Sequence, residues 1–229
     1  MKHEGITICV GATALKFLKI TLPQNIKFFD NYIVATDFKD IETQEYCRKW
    51  AVTLFITDLF YADNAIFNKG RVYNAIFNIL THKSEISILD GDMFISDKLG
   101  RFIKETEFNI DMMYGSRRLI IPNIKDFKEL LNGNKELENS LWCPNGCAWG
   151  YHQQFNYQAS IFNGYPPFYP HSYEKFAACG DWQFRNIFFG ELSKDETECL
   201  GNLRMIDEKI WHLGEPNMEN GGEKFFIDN

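Results

Sequence analysis

The chain has 229 residues, of which 45% are hydrophobic and 16% aromatic, enough to bury one substantial core. Charged residues make up 24% with no low-complexity block, which argues against disorder, and no run approaches the roughly 20 apolar residues of a bilayer-crossing helix. A formal net charge of −7 and a pI near 5.3 argue against nucleic acid as the main partner, while leaving room for a local basic groove.

Along the chain, "GITICV" reads as a strand that runs into a helix, and lysines inside this opening apolar part speak against an export signal. "NYIVATD" is a second short β-type run, "TQEYCRKWA" suits a short helix and "VTLFITD" a third strand. "NKGRVYNAIFNILTHK" then sets Val72, Ala75, Ile76, Ile79 and Leu80 at helical spacing, an apolar stripe on one face. "SEISILD" follows as a buried strand. Strands alternating with helices predict an α/β fold, a mostly parallel central sheet with helices on both faces. Ligands of such sheets bind outside the carboxyl ends of the strands.

The second half is less regular. A helix is expected over Asp97–Glu107, and "MMYGSRRLIIPN" reads as a strand broken at Gly115. "IKDFKELLNGNKELENSL" holds a helix that Gly133 ends. From Trp142 to Tyr173 the chain is rich in aromatics, Gly, Pro, Asn and Gln with little periodicity, as in a loop-built binding surface. "DWQFRNIFFGEL" restores helical spacing through Phe184, Ile187 and Phe188, and "GEPNMENGGEKFFIDN" reads as a tail or flap. No linker divides the chain, so one domain over 1–229 is expected, with halves meeting near residue 115. Cys9, Cys47, Cys143, Cys147, Cys179 and Cys199 are scattered, and reduced thiols in a cytoplasmic setting are expected. Cys143-x3-Cys147 with His152 lacks the second half of a zinc site.

The chemistry concentrates where the apolar run Ile86–Leu89 stops at Asp90-Gly91-Asp92. Carboxylates beside an apolar interior need a partner, and a cation is the natural one. In an extended strand, residues two apart share a side, so Asp90 and Asp92 are expected in one site, with Gly91 letting a ligand approach the backbone. Hard oxygen donors suit Mn2+ or Mg2+ shared with substrate phosphates. A calcium loop does not fit, because Phe94 stands where a ligand is required. The plainer alternative is a pair of turn aspartates.

An Asp-x-Asp after an apolar strand, preceded by the "NKGRVYNAIFNIL" helix, resembles nucleotide-sugar glycosyltransferases of the glycosyltransferase-A fold, above all the family-2-like group. The likeness covers Gly5 to about Arg118, with isolated motifs beyond. It implies a Rossmann-like nucleotide-sugar half over 1–115 and an acceptor-binding, catalytic half over 116–229. Lys69, Gly70, Arg71 and Asn74 match the family's segment ahead of the acidic motif, and Asp37 matches its base-contacting acid. By the same likeness Asp92 is the main metal ligand and Asp90 its helper, reaching the ribose or a metal-bound water. Asp181 in "FAACGDWQFR" is the acceptor-facing base, and His212 in "KIWHLG" completes the metal shell.

Each has a plainer reading. Asp181 could be an N-cap, His212 a core histidine, and Lys69, Arg71, Arg117 and Arg118 solvated charges. The implied activity is metal-dependent transfer of a sugar from a nucleoside diphosphate donor, UDP being the commonest, to an acceptor hydroxyl with inversion. The acceptor implied is a glycan or another hydroxyl compound. A sugar nucleotidyltransferase is the alternative enzyme, although its Gly-x-Gly-Thr-Arg loop is missing from "GITICVGATALK". A non-catalytic sugar- or nucleotide-binding module is the other alternative.

Overall fold

The computed structural model describes residues 2–80, 84–143, 152–168, 179–189, 202–214 and 225–226. In the first half β1 (Lys2–Ile8) leads to α1 (Ala12–Asn25), β2 (Asn31–Asp37) to α2 (Ile41–Cys47), and β3 (Thr53–Thr57) to α3 (Lys69–Phe77). β4 (Ser84–Asp90) then enters beside β1. These four strands pair only in parallel with one another, in the order β3-β2-β1-β4. The second half contains β5 (Met93–Phe94), α4 (Asp97–Glu105), β6 (Met113–Ile121), α5 (Ile124–Leu131) and α6 (Lys135–Ser140). It continues with β7 (His152–Asn156), α7 (Cys179–Phe189) and β8 (Leu203–Leu213). The eight described strands make one sheet, continuing from β4 as β7-β6-β8-β5. β7 is antiparallel to β4 and β6, β6 is parallel to β8, and β5 is antiparallel to β8. The expected α/β architecture, a mostly parallel sheet between helices, is the one observed.

The two-residue period of a strand explains the layers. Ile33, Ala35, Ile86 and Ile88 face a core shared with Val72, Ile76 and Phe77 of α3 and Phe184 and Phe188 of α7. Their neighbours Val34 and Leu89 face the opposite core, with Leu15, Leu18 and Leu22 of α1 and Leu99 and Ile103 of α4. Burying one such side chain contributes about 1.5–3 kcal/mol, so strands buried on both faces are held twice over.

Capping sets the helix starts. Asn68, Ser96, Asn123 and Asn134 each accept a hydrogen bond from the backbone N–H three residues on, at 2.8–3.2 Å. Pro23 lies inside α1 and has no N–H to give Lys19; the Tyr46 hydroxyl donates to the Lys19 carbonyl instead, at 3.2 Å.

Several expectations are corrected. α3 stops at Phe77, so Ile79 is exposed, and Tyr73 and Phe77 join Val72 and Ile76 on the buried face. β6 passes through Gly115 in ordinary pairing with Met205; the irregularity falls between Ser116 and Arg118. Gly133, at φ 84°, does end a helix, but α6 starts directly after it. The aromatic stretch expected as loop contains β7, whose five residues are all buried. Within the expected tail, Phe225 is fully buried, and Phe225 and Phe226 pack on Phe17 with ring centroids 5.4 and 5.3 Å away. No described helix is long and apolar enough to cross a membrane. Among the described cysteines, Cys9, Cys47 and Cys143 are free thiols.

Candidate active site

Because β1, β2 and β4 run in parallel, their carboxyl ends share one edge, with Asp37 closing β2 and Asp90 closing β4. After Asp90 the chain does not stay extended. Gly91 and Asp92 form a turn into β5, so the two-residue alignment expected of the carboxylates ends at Asp90. Each carboxylate has its own partner. Lys69 Nζ donates to Asp90 Oδ1 at 3.1 Å, and His212 Nε2 lies 3.2 Å from Asp92 Oδ2. The second contact follows from sheet register: Met93 is opposite His212, and the Leu213 N–H donates to the Asp92 carbonyl at 3.0 Å.

α1 braces this turn with residues that sequence reasoning missed. Thr21 Oγ1 donates to the Gly91 carbonyl at 2.8 Å. Asn25 donates to the Met93 carbonyl at 2.8 Å and accepts from the Ile95 N–H at 2.9 Å. Both side chains are buried, and both find partners there, as buried polar groups must. The available signal was two polar residues four apart, on the helix face that carries Leu18 and Leu22.

The other expected residues fall as follows. Arg71 pairs with Asp63 at 2.6 Å, with Asp63 largely exposed. Asn74 is half-buried in the second turn of α3. Asp37 is buried, and its carboxylate accepts the Lys39 N–H at 2.8 Å. A Cβ on Gly91 would make only ordinary contacts, 3.6 Å to the Ile8 carbonyl, so crowding does not demand glycine there. α7 begins at Cys179, ahead of Asp181, which removes the N-cap reading; the Asp181 side chain lies outside the described residues. Arg117 is exposed and Arg118 buried. His152, opposite Leu89, is fully buried beside Ser116 Oγ at 3.0 Å, and burial lowers its pKa to about 4.

Beyond the carboxyl end of β2, Asp40 caps α2 and also accepts the Gly11 N–H at 2.7 Å, fastening the β1–α1 turn to the β2–α2 turn. Tyr61 is half-exposed nearby. Partial burial raises its phenol pKa, helped by the charges of Asp37 and Asp40.

The residues fit a divalent cation in part. Asp92 Oδ1 is shielded from solvent and accepts no hydrogen bond among the described residues, beside the imidazole that contacts Oδ2. A carboxylate with an open oxygen next to a histidine is a suitable donor pair for Mn2+ or Mg2+. Among the described residues, no group of three His, Cys, Asp or Glu side chains is gathered for a metal, since Asp90 faces Lys69. A divalent ion held by these two residues would have to take further oxygen ligands from substrate or water, as such ions usually do.

No protein-family profile and no curated protein matches the sequence. Solved structures do match in fold. A 4-diphosphocytidyl-2C-methyl-D-erythritol synthase from Anaerococcus prevotii DSM 20548 is 12% identical, with 90% of this chain and 88% of that one covered and a TM-score of 0.50. A Bacillus anthracis protein assigned as a glucose-1-phosphate thymidylyltransferase, bound to a sucrose, is 11% identical over 96% and 92% of the two chains, TM-score 0.53. Rv0371C of Mycobacterium tuberculosis H37Rv, in complex with manganese, is 13% identical over 99% and 98%, TM-score 0.52. At these identities the likeness is one of fold alone: this chain shares the α/β fold of these proteins, and nothing in the likeness is specific to family-2 glycosyltransferases.

Proposed function

We propose that this protein is a metal-dependent transferase working at the diphosphate of a nucleotide sugar, and that it moves the sugar to an acceptor hydroxyl. One observation carries the reading: Asp92 and His212 meet at 3.2 Å beside the carboxyl end of the central strand β4. Asp92 and His212 would hold Mn2+ or Mg2+, which when bound supplies positive charge against the diphosphate oxygens. Lys69 and Arg71, at the start of α3, add cationic groups for phosphate, with Asn74 one turn on. Asp37 is assigned the nucleotide base and Asp90 the ribose or a coordinated water. Asp181 takes the acceptor proton on sequence grounds alone, and inversion follows if it does. Holding donor and acceptor together supplies much of the remaining acceleration.

Sugar nucleotidyl transfer is the second reading, and the fold comparisons favour it over glycosyl transfer, since two of the relatives named above are a synthase of a diphosphocytidyl compound and a thymidylyltransferase. The β1–α1 connection weighs the other way. It comprises Cys9, Val10 and Gly11, and the first cation after it is Lys16, whereas a nucleoside triphosphate needs positive charge close to its phosphates. A non-catalytic binding module would bind nucleotide without regard to metal.

Thermal shifts with nucleoside diphosphates and their sugars, with and without Mn2+, test the common core. Ligand at about 100 times its Kd adds about 2.7 kcal/mol of apparent stability. A strong shift is expected only with metal, and Asp92→Asn should abolish the metal-dependent part. A variant that keeps the full shift removes Asp92 from the role. Product analysis then separates the reactions, nucleoside diphosphate release marking glycosyl transfer and pyrophosphate release nucleotidyl transfer.

A further inference from the structure

We infer that Lys69 is a resident counter-ion for Asp90, displaced when metal and diphosphate arrive together, so that each raises the affinity for the other. The inference rests on the proposed metal- and diphosphate-binding site and adds a coupling device to it. Asn68 caps α3 through the Arg71 N–H at 3.0 Å and so sets Lys69 in the first helical position. From there the ammonium reaches Asp90 Oδ1 at 3.1 Å.

The pair is not an ordinary surface contact. Lys69 and Asp90 are 19% and 28% exposed in their side chains, so water screens them less than a rim pair. The neighbouring carboxylate, Asp92, is matched with an imidazole rather than a permanent cation. The two acids therefore differ in kind: one is neutralised by a permanent positive charge, while the other faces an imidazole, which carries charge only when protonated.

Charge then dictates order. A divalent cation arriving alone beside Asp90 meets an ammonium already 3.1 Å from that carboxylate, and like charges oppose it. A diphosphate arriving with the metal offers the ammonium a new anionic partner, which frees Asp90. Lysine suits such an exchange, being a compact charge on a flexible stem. Arg71 is less suited, because its guanidinium is engaged by Asp63 at 2.6 Å. Linkage makes the effect reciprocal: whatever factor diphosphate adds to metal affinity, metal adds to diphosphate affinity.

The test measures Mn2+ binding by calorimetry or electron paramagnetic resonance, with allowance for Mn2+–nucleotide complexes in free solution. Wild type is compared with Lys69→Met and Lys69→Gln, each with and without UDP or GDP, whichever binds. In wild type, nucleotide should tighten Mn2+ about tenfold or more. The neutral variants should bind Mn2+ alone about fivefold more tightly than wild type, and lose most of the coupling. Lys69→Arg, which keeps the charge, should leave Mn2+ alone as weak as in wild type. If both neutral variants bind Mn2+ alone no better than wild type, the counter-ion role is wrong while the site stands. If wild type binds no Mn2+ with either nucleotide, the site itself is wrong and this inference falls with it.

Discussion

The strands from Lys2 to Asp90 pair with one another only in parallel, whereas β7 enters the sheet antiparallel to both its neighbours and carries a different kind of residue. The parallel half buries apolar residues on both faces, Ile6, Ile33, Val34, Ala35, Ile86 and Leu89 among them, with Thr7 and Ser87 as isolated polar residues between them. β7 buries His152, Gln153, Gln154 and Asn156 as well as Phe155. Some of its polar groups find partners on the neighbouring strands, His152 Nδ1 with Ser116 at 3.0 Å and Gln154 Nε2 with Glu85 at 3.4 Å, while His152 Nε2 and Gln154 Oε1 are buried without a hydrogen bond among the described residues. Hydrogen bonds of this kind contribute only about 1 kcal/mol net each, so they specify register more than they hold the halves together. Holding falls to Phe155, whose ring lies 5.0 Å from Phe184 and 6.0 Å from Phe77, both in the core under the parallel strands.

The sharpest way to break this contrast is Phe155→Ala. The residue is 1% exposed, and truncating a buried phenylalanine costs about 3–5 kcal/mol. Denaturant melts should show that loss in a single transition that includes the parallel half. A loss below about 1 kcal/mol would mean that the polar seam carries the join.

A smaller effect is expected inside the parallel half itself. Gly5 sits in β1 against Tyr32 of β2, and a Cβ there would collide with the Tyr32 ring and come within 2.9 Å of Phe29. Tyr32 cannot easily move, because it is buried and its hydroxyl is 2.6 Å from Thr7 Oγ1. Gly5→Ala should therefore cost up to about 3 kcal/mol in chemical denaturation, in the range of core overpacking. A neutral result would show the parallel half to be more plastic than its packing implies.

The same contrast decides what was legible in the sequence. β2, β4 and α7 were readable because a doubly buried strand is a continuous apolar run and a one-sided helix repeats every three to four residues. β7 was not, since "HQQFN" has the composition of a loop, and only partners brought from distant strands make its polar groups buriable. At the site, Asp90, Asp92, Lys69 and His212 could be named by family resemblance. That Lys69 goes to Asp90 and His212 to Asp92 is set by the Gly91 turn and the β5–β8 register, which no local pattern encodes. Thr21 and Asn25 were invisible for the same reason, their partners lying about 70 residues away in sequence (separations of 70 and 68).

The mildest test concerns the amino end of the seam, where Glu85 faces His3 at 3.4 Å and Gln154 at 3.4 Å. Burial raises the Glu85 pKa from 4.5 to about 7, against the smaller opposing pull of the Gln154 hydrogen bond, the N-terminal charge and the Phe108 backbone. Between those two values the folded chain keeps a proton that the unfolded chain has released. The associated stability is therefore fully present below about pH 4.5 and is lost as pH rises through about 7. Glu85→Gln mimics the protonated form at every pH and should remove this fall, leaving the variant on the order of 1–2 kcal/mol more stable relative to wild type at about pH 8 than at about pH 4. The comparison with wild type matters, because His152, held at about 4 by burial, titrates in the opposite sense over the acid end of the range and is common to both proteins. If the gap between variant and wild type stays flat with pH, burial does not hold Glu85 neutral, and the parallel half tolerates a buried charge at its junction with β7.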